Sequence, residues 1–146
     1  MLATRYLDGT PIGPELVTAD LGFLADGMLH VLGRADDVII SGGENIHPTQ
    51  VEAVLAATPG VRAAAAFGVT DPRWGQIVAA AITVEPTFDP VHAFGYWHAQ
   101  LPPQARPRRV ATLAELPRLP SGKVDRREVA NVPTSPIDYA CYKRGN

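Results

Sequence analysis

The chain has 146 residues, a formal net charge of −2, 46% hydrophobic and 19% charged residues, and one cysteine. That length suits one domain, or one small domain with extensions, and the composition supports a packed core rather than disorder of the whole chain. The charge balance gives no overall pull toward nucleic acid or membrane, and Cys141 alone excludes an internal disulfide, which fits a reducing cytoplasm.

The opening stretch MLATRYLDGTPIGPELV lacks the basic start and continuous apolar core of a signal peptide. No window of about 20 apolar residues is present to span a bilayer. Residues 1–17 read as loop and turn, and the chain begins like a segment cut into a larger protein. A hairpin is expected over residues 20–34, turning at Asp26-Gly27 between Gly22-Phe23-Leu24 and Met28 to Leu32. Gly33 to Asp37 is a polar joint before a short β-branched strand, Val38-Ile39-Ile40. Residues 41–45 read as a loop.

A helix follows Pro48. Thr49 and Glu52 have the spacing of a capping box, and Val51, Val54 and Leu55 share one face. Thr58-Pro59-Gly60 ends it. Val61 to Val69 is expected as a strand, although its alanine run is poor strand material, and Ile77 to Val84 as another. A helix from Val91 to Leu101, a basic loop over residues 104–109 and a strand from Val110 to Leu113 come next. Asp125 and Glu128 repeat the capping spacing for a last short helix, and residues 131–146 read as a loose tail. Short strands with interspersed helices indicate a small α+β domain.

Most chemistry-bearing patterns are incomplete. Gly122-Lys123 is not a phosphate-binding P-loop, because Pro117 stands where its first glycine is needed and Val124 where the Ser or Thr is needed. On composition alone Lys123 is a solvated lysine at a turn. Gly42-Gly43 is either a plain turn or a place where another segment or a ligand approaches bare backbone. Asp36 and Asp37 lack a third metal ligand, and no His pair has zinc-site spacing with cysteine, so no metal site is expected. The one charge asymmetry is Arg106, Arg108, Arg109, Arg118, Lys123, Arg126 and Arg127. It is either a phosphate-facing surface or a solvated face balanced by Glu115, Asp125 and Glu128. No aromatic residue lies between residues 104 and 130, which argues against a nucleic-acid surface.

Taken together, these stretches resemble the late motifs of adenylate-forming enzymes. The matching segments are Thr18-Ala19-Asp20, the run GRADDVIISGGENI over residues 33–46, and PRLPSGKVDR over residues 117–126. This superfamily holds acyl-CoA ligases, luciferases and peptide-synthetase adenylation domains. The stretch after Ile40, with Asp71-Pro72-Arg73-Trp74-Gly75-Gln76, is most similar to aryl-CoA ligases such as those for halobenzoates. The resemblance covers roughly residues 4–130. It implies activation of a small carboxylic acid with ATP, then transfer of the acyl group to CoA, with a small C-terminal domain swinging between the two steps.

The resemblance also assigns roles. Lys123 contacts the substrate carboxylate and the ATP phosphates during adenylation. Asp20 holds the ribose hydroxyls, Arg34 sits near the same nucleotide, and Asp36 is the hinge. Gly42 and Gly43 line the pantetheine tunnel, Trp74 stacks on the CoA adenine, and Arg106 and Arg108 meet CoA phosphates. Ala19 and Gln104 depart from the family pattern, the second where halobenzoate-type ligases carry an aromatic near CoA.

The implied layout is residues 1–34 as the end of a large N-terminal domain, residues 35–130 as the mobile domain, and residues 131–146 as the tail. The phosphate loop, the acyl pocket and the main Mg2+ ligands belong to the large domain, so the chain alone is expected to be inactive and to need that domain as partner. The rival expectation is a non-catalytic interaction or regulatory module built on the same fold. An apolar hairpin separated from the large domain is expected to self-associate.

Overall fold

The computed structural model describes residues 18–139. Strands β1 (Asp20–Ala25) and β2 (Met28–Arg34) form a two-stranded antiparallel hairpin. Its turn has positive φ at both Asp26 (52°) and Gly27 (74°), the backbone that matches the twist of the flanking strands. A single 3-10 turn over Ala35–Asp37 connects the hairpin to the rest.

Beyond that turn lies a six-stranded mixed sheet. It comprises β3 (Ile39–Ser41), β4 (Glu44–Ile46), β5 (Val61–Asp71), β6 (Gly75–Val84), β7 (Arg109–Thr112) and β8 (Ser135–Pro136), with helices α1 (Pro48–Ala56), α2 (Pro90–Gln100) and α3 (Arg126–Val129). β6 is the spine. It pairs antiparallel with β5 along its length, parallel with β7, and with β3 through Ser41 and Gly75. The α+β expectation is met.

The alanine-rich strands are explained by this central position. Successive side chains of a strand face opposite sides of the sheet. Val78, Ala80 and Ile82 of β6 enter one core with Val51 and Leu55 of α1 and Ala93 and Trp97 of α2. Ala79 and Ala81 enter a second core with Phe67, Leu116 and Val129. A strand covered on both faces uses small residues where helices come close, so packing overrides weak strand propensity. Trp97, fully buried, donates its indole N–H to Thr58 Oγ1 at 2.8 Å and so ties α2 to the end of α1.

Three expectations are corrected. Residues 41–45 are a tight hairpin rather than a loop, with β4 returning along β3. Thr49 and Glu52 do not form a capping box: His47 is the N-cap, without a side-chain cap bond, and Pro48 is the first helical residue. The Thr49 hydroxyl instead donates to the Leu32 carbonyl, docking the hairpin on α1. The described part of the tail is ordered: Ser135–Pro136 pairs with β7, the Ile137 N–H donates to the Arg108 carbonyl, and the Tyr139 hydroxyl donates to the Pro107 carbonyl. The sequence read residues 131–139 as loose because prolines hide a strand that needs only two ladder positions. Residues 140–146, with Cys141, lie outside the described residues, as do residues 1–17.

The hairpin presents Phe23 at 49%, Leu24 at 75% and Leu29 at 67% exposure. Light scattering at rising concentration is therefore expected to show self-association, and the paired change Leu24→Lys and Leu29→Lys to reverse it. A strictly monomeric mass for the unaltered chain at high concentration would refute this. No helix among the described residues is long and apolar enough to cross a membrane.

Candidate functional site

Lys123 stands on a loop with its own internal framework. The Leu119 N–H donates to the Lys123 carbonyl and the Gly122 N–H to the Leu119 carbonyl, both at 2.8 Å. The Arg118 guanidinium donates to the Gly122 carbonyl at 2.8 Å, and Arg118 bridges Val124. Gly122, at φ 83°, makes the reversal that presents the lysine. Among the described residues nothing pairs with the Lys123 ammonium, which is exposed.

The loop borders an open cleft of about 1090 Å³. Arg34, Asp36 and Asp37 line the same cleft, with Gln76 and Arg126. Lys123 and the 3-10 turn at Asp36, 87 residues apart in the chain (123 less 36), thus share one surface. Arg34 pairs with Asp36 at 2.7 Å, and the hydrogen bond and charge of Asp36 raise the guanidinium above its ordinary range. Asp20 lies opposite Arg34 in the hairpin register and adds to that field.

A second cluster lies at the β3–β4 turn. The Gly42 N–H donates to the Trp74 carbonyl at 2.9 Å. Gly42 and Gly43 have φ of 60° and 86°, left-handed backbone that favours glycine at both positions. Gly42 carries a further constraint, because a Cβ there would meet the Trp74 ring at 2.9 Å, whereas one at Gly43 would meet nothing within 4 Å. Both open readings of the pair thus hold at Gly42: it is a turn and a close approach. The guanidiniums of Arg73 and Arg108 lie 5.0 and 5.5 Å from the centre of the Trp74 ring, within cation–π range. Arg106 stands apart from this group, with its Nε–H spent on the Leu101 carbonyl at the end of α2. None of Gly42, Gly43, Trp74 or Arg108 lines the Lys123 cleft.

Gly42→Ala is expected to cost about 1–3 kcal/mol, from left-handed backbone plus overlap with the indole. A thermal melt reads the cost, and a changed Trp74 fluorescence reads the displaced ring. An unchanged melt and spectrum would remove the packing argument.

Sequence reasoning missed the polar anchor beneath the cleft. Arg126 donates to Glu52 through both terminal nitrogens and to the Ala66 carbonyl at 3.1 Å, and its Nε forms an ion pair with Asp37 at 3.2 Å. Glu52 also accepts from the Ala66 N–H at 2.8 Å. The bonds to Glu52, ahead of the opposing effect of burial, hold the Arg126 guanidinium above its ordinary range. Arg126 was visible only as one of a basic run and as the last residue of the PRLPSGKVDR segment. Its carboxylate partners lie 74 and 89 positions away (126 less 52, and 126 less 37), where no spacing rule points.

The family model for the AMP-binding enzyme C-terminal domain matches residues 50–123. The chain is 48% identical over 107 residues to 4-chlorobenzoate-CoA ligase of a Pseudomonas species, covering 70% of this chain and 20% of the relative. It is 42% identical over 115 residues to 2-succinylbenzoate-CoA ligase of Bacillus cereus, covering 78% and 24%. Among solved structures it is similar to o-succinylbenzoate CoA synthetase of Bacillus subtilis in complex with an acyl-adenylate intermediate, with a TM-score of 0.76 and 35% identity over 84% of this chain and 25% of that one. The chain spans a fifth to a quarter of the length of these relatives.

Proposed function

Because the chain belongs to the AMP-binding enzyme C-terminal domain family, we propose that it is the mobile C-terminal part of an ATP-dependent acyl-CoA ligase. The observation that carries the reading is an exposed lysine, unpaired among the described residues, on a braced loop in one cleft with the 3-10 turn at Asp36. In the first half-reaction a carboxylate oxygen of the acid attacks the α-phosphorus of ATP. The bond to the bridging oxygen breaks, and pyrophosphate leaves. Lys123 supplies a point cation where negative charge gathers on the carboxylate and phosphate oxygens, which lowers the barrier most in a water-poor site. Asp20 accepts from the ribose hydroxyls, and Arg34 lies beside the same nucleotide.

In the second half-reaction the CoA thiol attacks the acyl carbon, its proton leaves, and AMP is expelled. Rotation at Asp36 brings the Gly42-Gly43 turn to the site, where the bare backbone leaves room for pantetheine. Trp74 offers a stacking face to adenine, and Arg108 a phosphate contact. Arg106, with Nε already committed, has only its terminal nitrogens for that task.

The acid is a small carboxylic acid, aromatic by analogy with the benzoate-type relatives. Mg2+, the acyl pocket and the triphosphate loop are assigned to the large N-terminal domain, which is the chain's partner. The hairpin of β1 and β2 is the end of that domain.

Purified alone, the chain is expected to give no acid-dependent ATP–pyrophosphate exchange above background. Exchange by the isolated chain would refute the proposed division of labour.

A further inference from the structure

We infer that Arg126 is a positioning residue that couples the Lys123 loop to the hinge turn through Asp37. Its place in catalysis rests on the ligase reading, whereas the coupling itself stands on geometry. Arg126 opens α3, three residues after Lys123. The Asp125 N–H donates to the Pro117 carbonyl at 2.9 Å, so the loop closes immediately before Arg126. Any displacement of the guanidinium is thus passed to a loop that moves as a unit.

The contacts of Arg126 are of two kinds. Glu52 lies in α1 and Ala66 in β5, and both belong to the packed body that carries the loop. Asp37 belongs to the 3-10 turn, next to Asp36. The two carboxylates of that turn hold opposite sides: Asp36 holds Arg34 of the hairpin, and Asp37 holds Arg126 of the sheet domain. A rotation of the backbone at Asp36 leaves the Arg126–Glu52 pair intact, because both partners travel together. It leaves the Arg126–Asp37 pair intact as well, because Asp37 follows Asp36 in the chain and is pinned to the same body. That pair therefore fixes the C-terminal side of the turn, immediately beside Asp36, to the body that carries the loop, and its far end lies three residues from Lys123. The guanidinium suits the task, since its planar fork serves several acceptors in fixed directions.

Amide hydrogen exchange followed by NMR on the 146-residue chain tests this without any ligase assay. Asp37→Asn is expected to speed exchange at the Leu119, Gly122 and Asp125 amides about two- to fivefold, the range for losing a partly exposed ion pair. The Leu101 and Leu113 amides, bonded elsewhere in the domain, keep their rates. Asp37→Glu, which keeps the charge, returns the loop amides toward the original rates. Loop amides that ignore Asp37→Asn, that accelerate together with Leu101 and Leu113, or that remain fast in Asp37→Glu would overturn the inference. Because the measurement needs no substrate, a failed ligase reading and a failed coupling are told apart.

Discussion

Lys123→Ala in the proposed full-length ligase is expected to lower ATP–pyrophosphate exchange about 10²- to 10³-fold, the usual loss when one preorganised charge at a reacting centre is removed. Folding should be indifferent to the change, because among the described residues the ammonium is exposed and no partner holds it. Thioester formation from synthetic acyl-adenylate should stay within about twofold if, as proposed, the lysine acts only while charge builds on the phosphate side. Lys123→Arg should recover only part of the exchange, because a planar fork does not replace a compact ammonium on a short loop. Exchange that survives Lys123→Ala would return Lys123 to a solvated lysine at a turn, which is all that its immediate sequence demands.

Glu52→Ala carries the largest expected effect on stability. Glu52 and Arg126 side chains are 18% and 28% exposed, so the pair is partly shielded from solvent. The substitution leaves the guanidinium without two of its bonds and the Ala66 N–H without its acceptor. Removing one member of such a pair costs about 2–4 kcal/mol here, below the figure for full burial. The midpoint of thermal unfolding should fall on the order of 8 °C. Calorimetry on the variant checks this, and a fall under about 2 °C would mean that the network behaves as an ordinary surface pair.

These two sites were unequally readable from the sequence. The first hairpin was legible because Asp26-Gly27 is a strong local signal, and α2 because Pro102-Pro103 limits it. Asp89 caps α2 through the Val91 and His92 N–H groups, as a short polar side chain before a helix does. Gly42-Gly43 marked a turn, but the strand β4 behind it carries Asn45 and Glu44 and only one buried residue, Ile46, so alternation was too brief to read. Thr49 and Glu52 matched a capping pattern by spacing alone. The helix began one turn-position earlier at Pro48, which freed both side chains for tertiary contacts. The Glu52–Arg126–Asp37 network was out of reach because its members meet only after β5 and α3 have packed. Lys123 and Asp36 were singled out by family resemblance, and the cleft they share adds a geometric reason to group them.

The most direct test of the central claim is ATP–pyrophosphate exchange by a chimera. The part of 4-chlorobenzoate-CoA ligase that this chain does not cover would be joined to this chain from Asp36 onward. The chimera is expected to show 4-chlorobenzoate-dependent exchange well above that of the truncated relative alone, lost again in Lys123→Ala. A chimera that folds but exchanges no faster than the truncated relative would contradict the ligase reading and leave a non-catalytic interaction module as the better description.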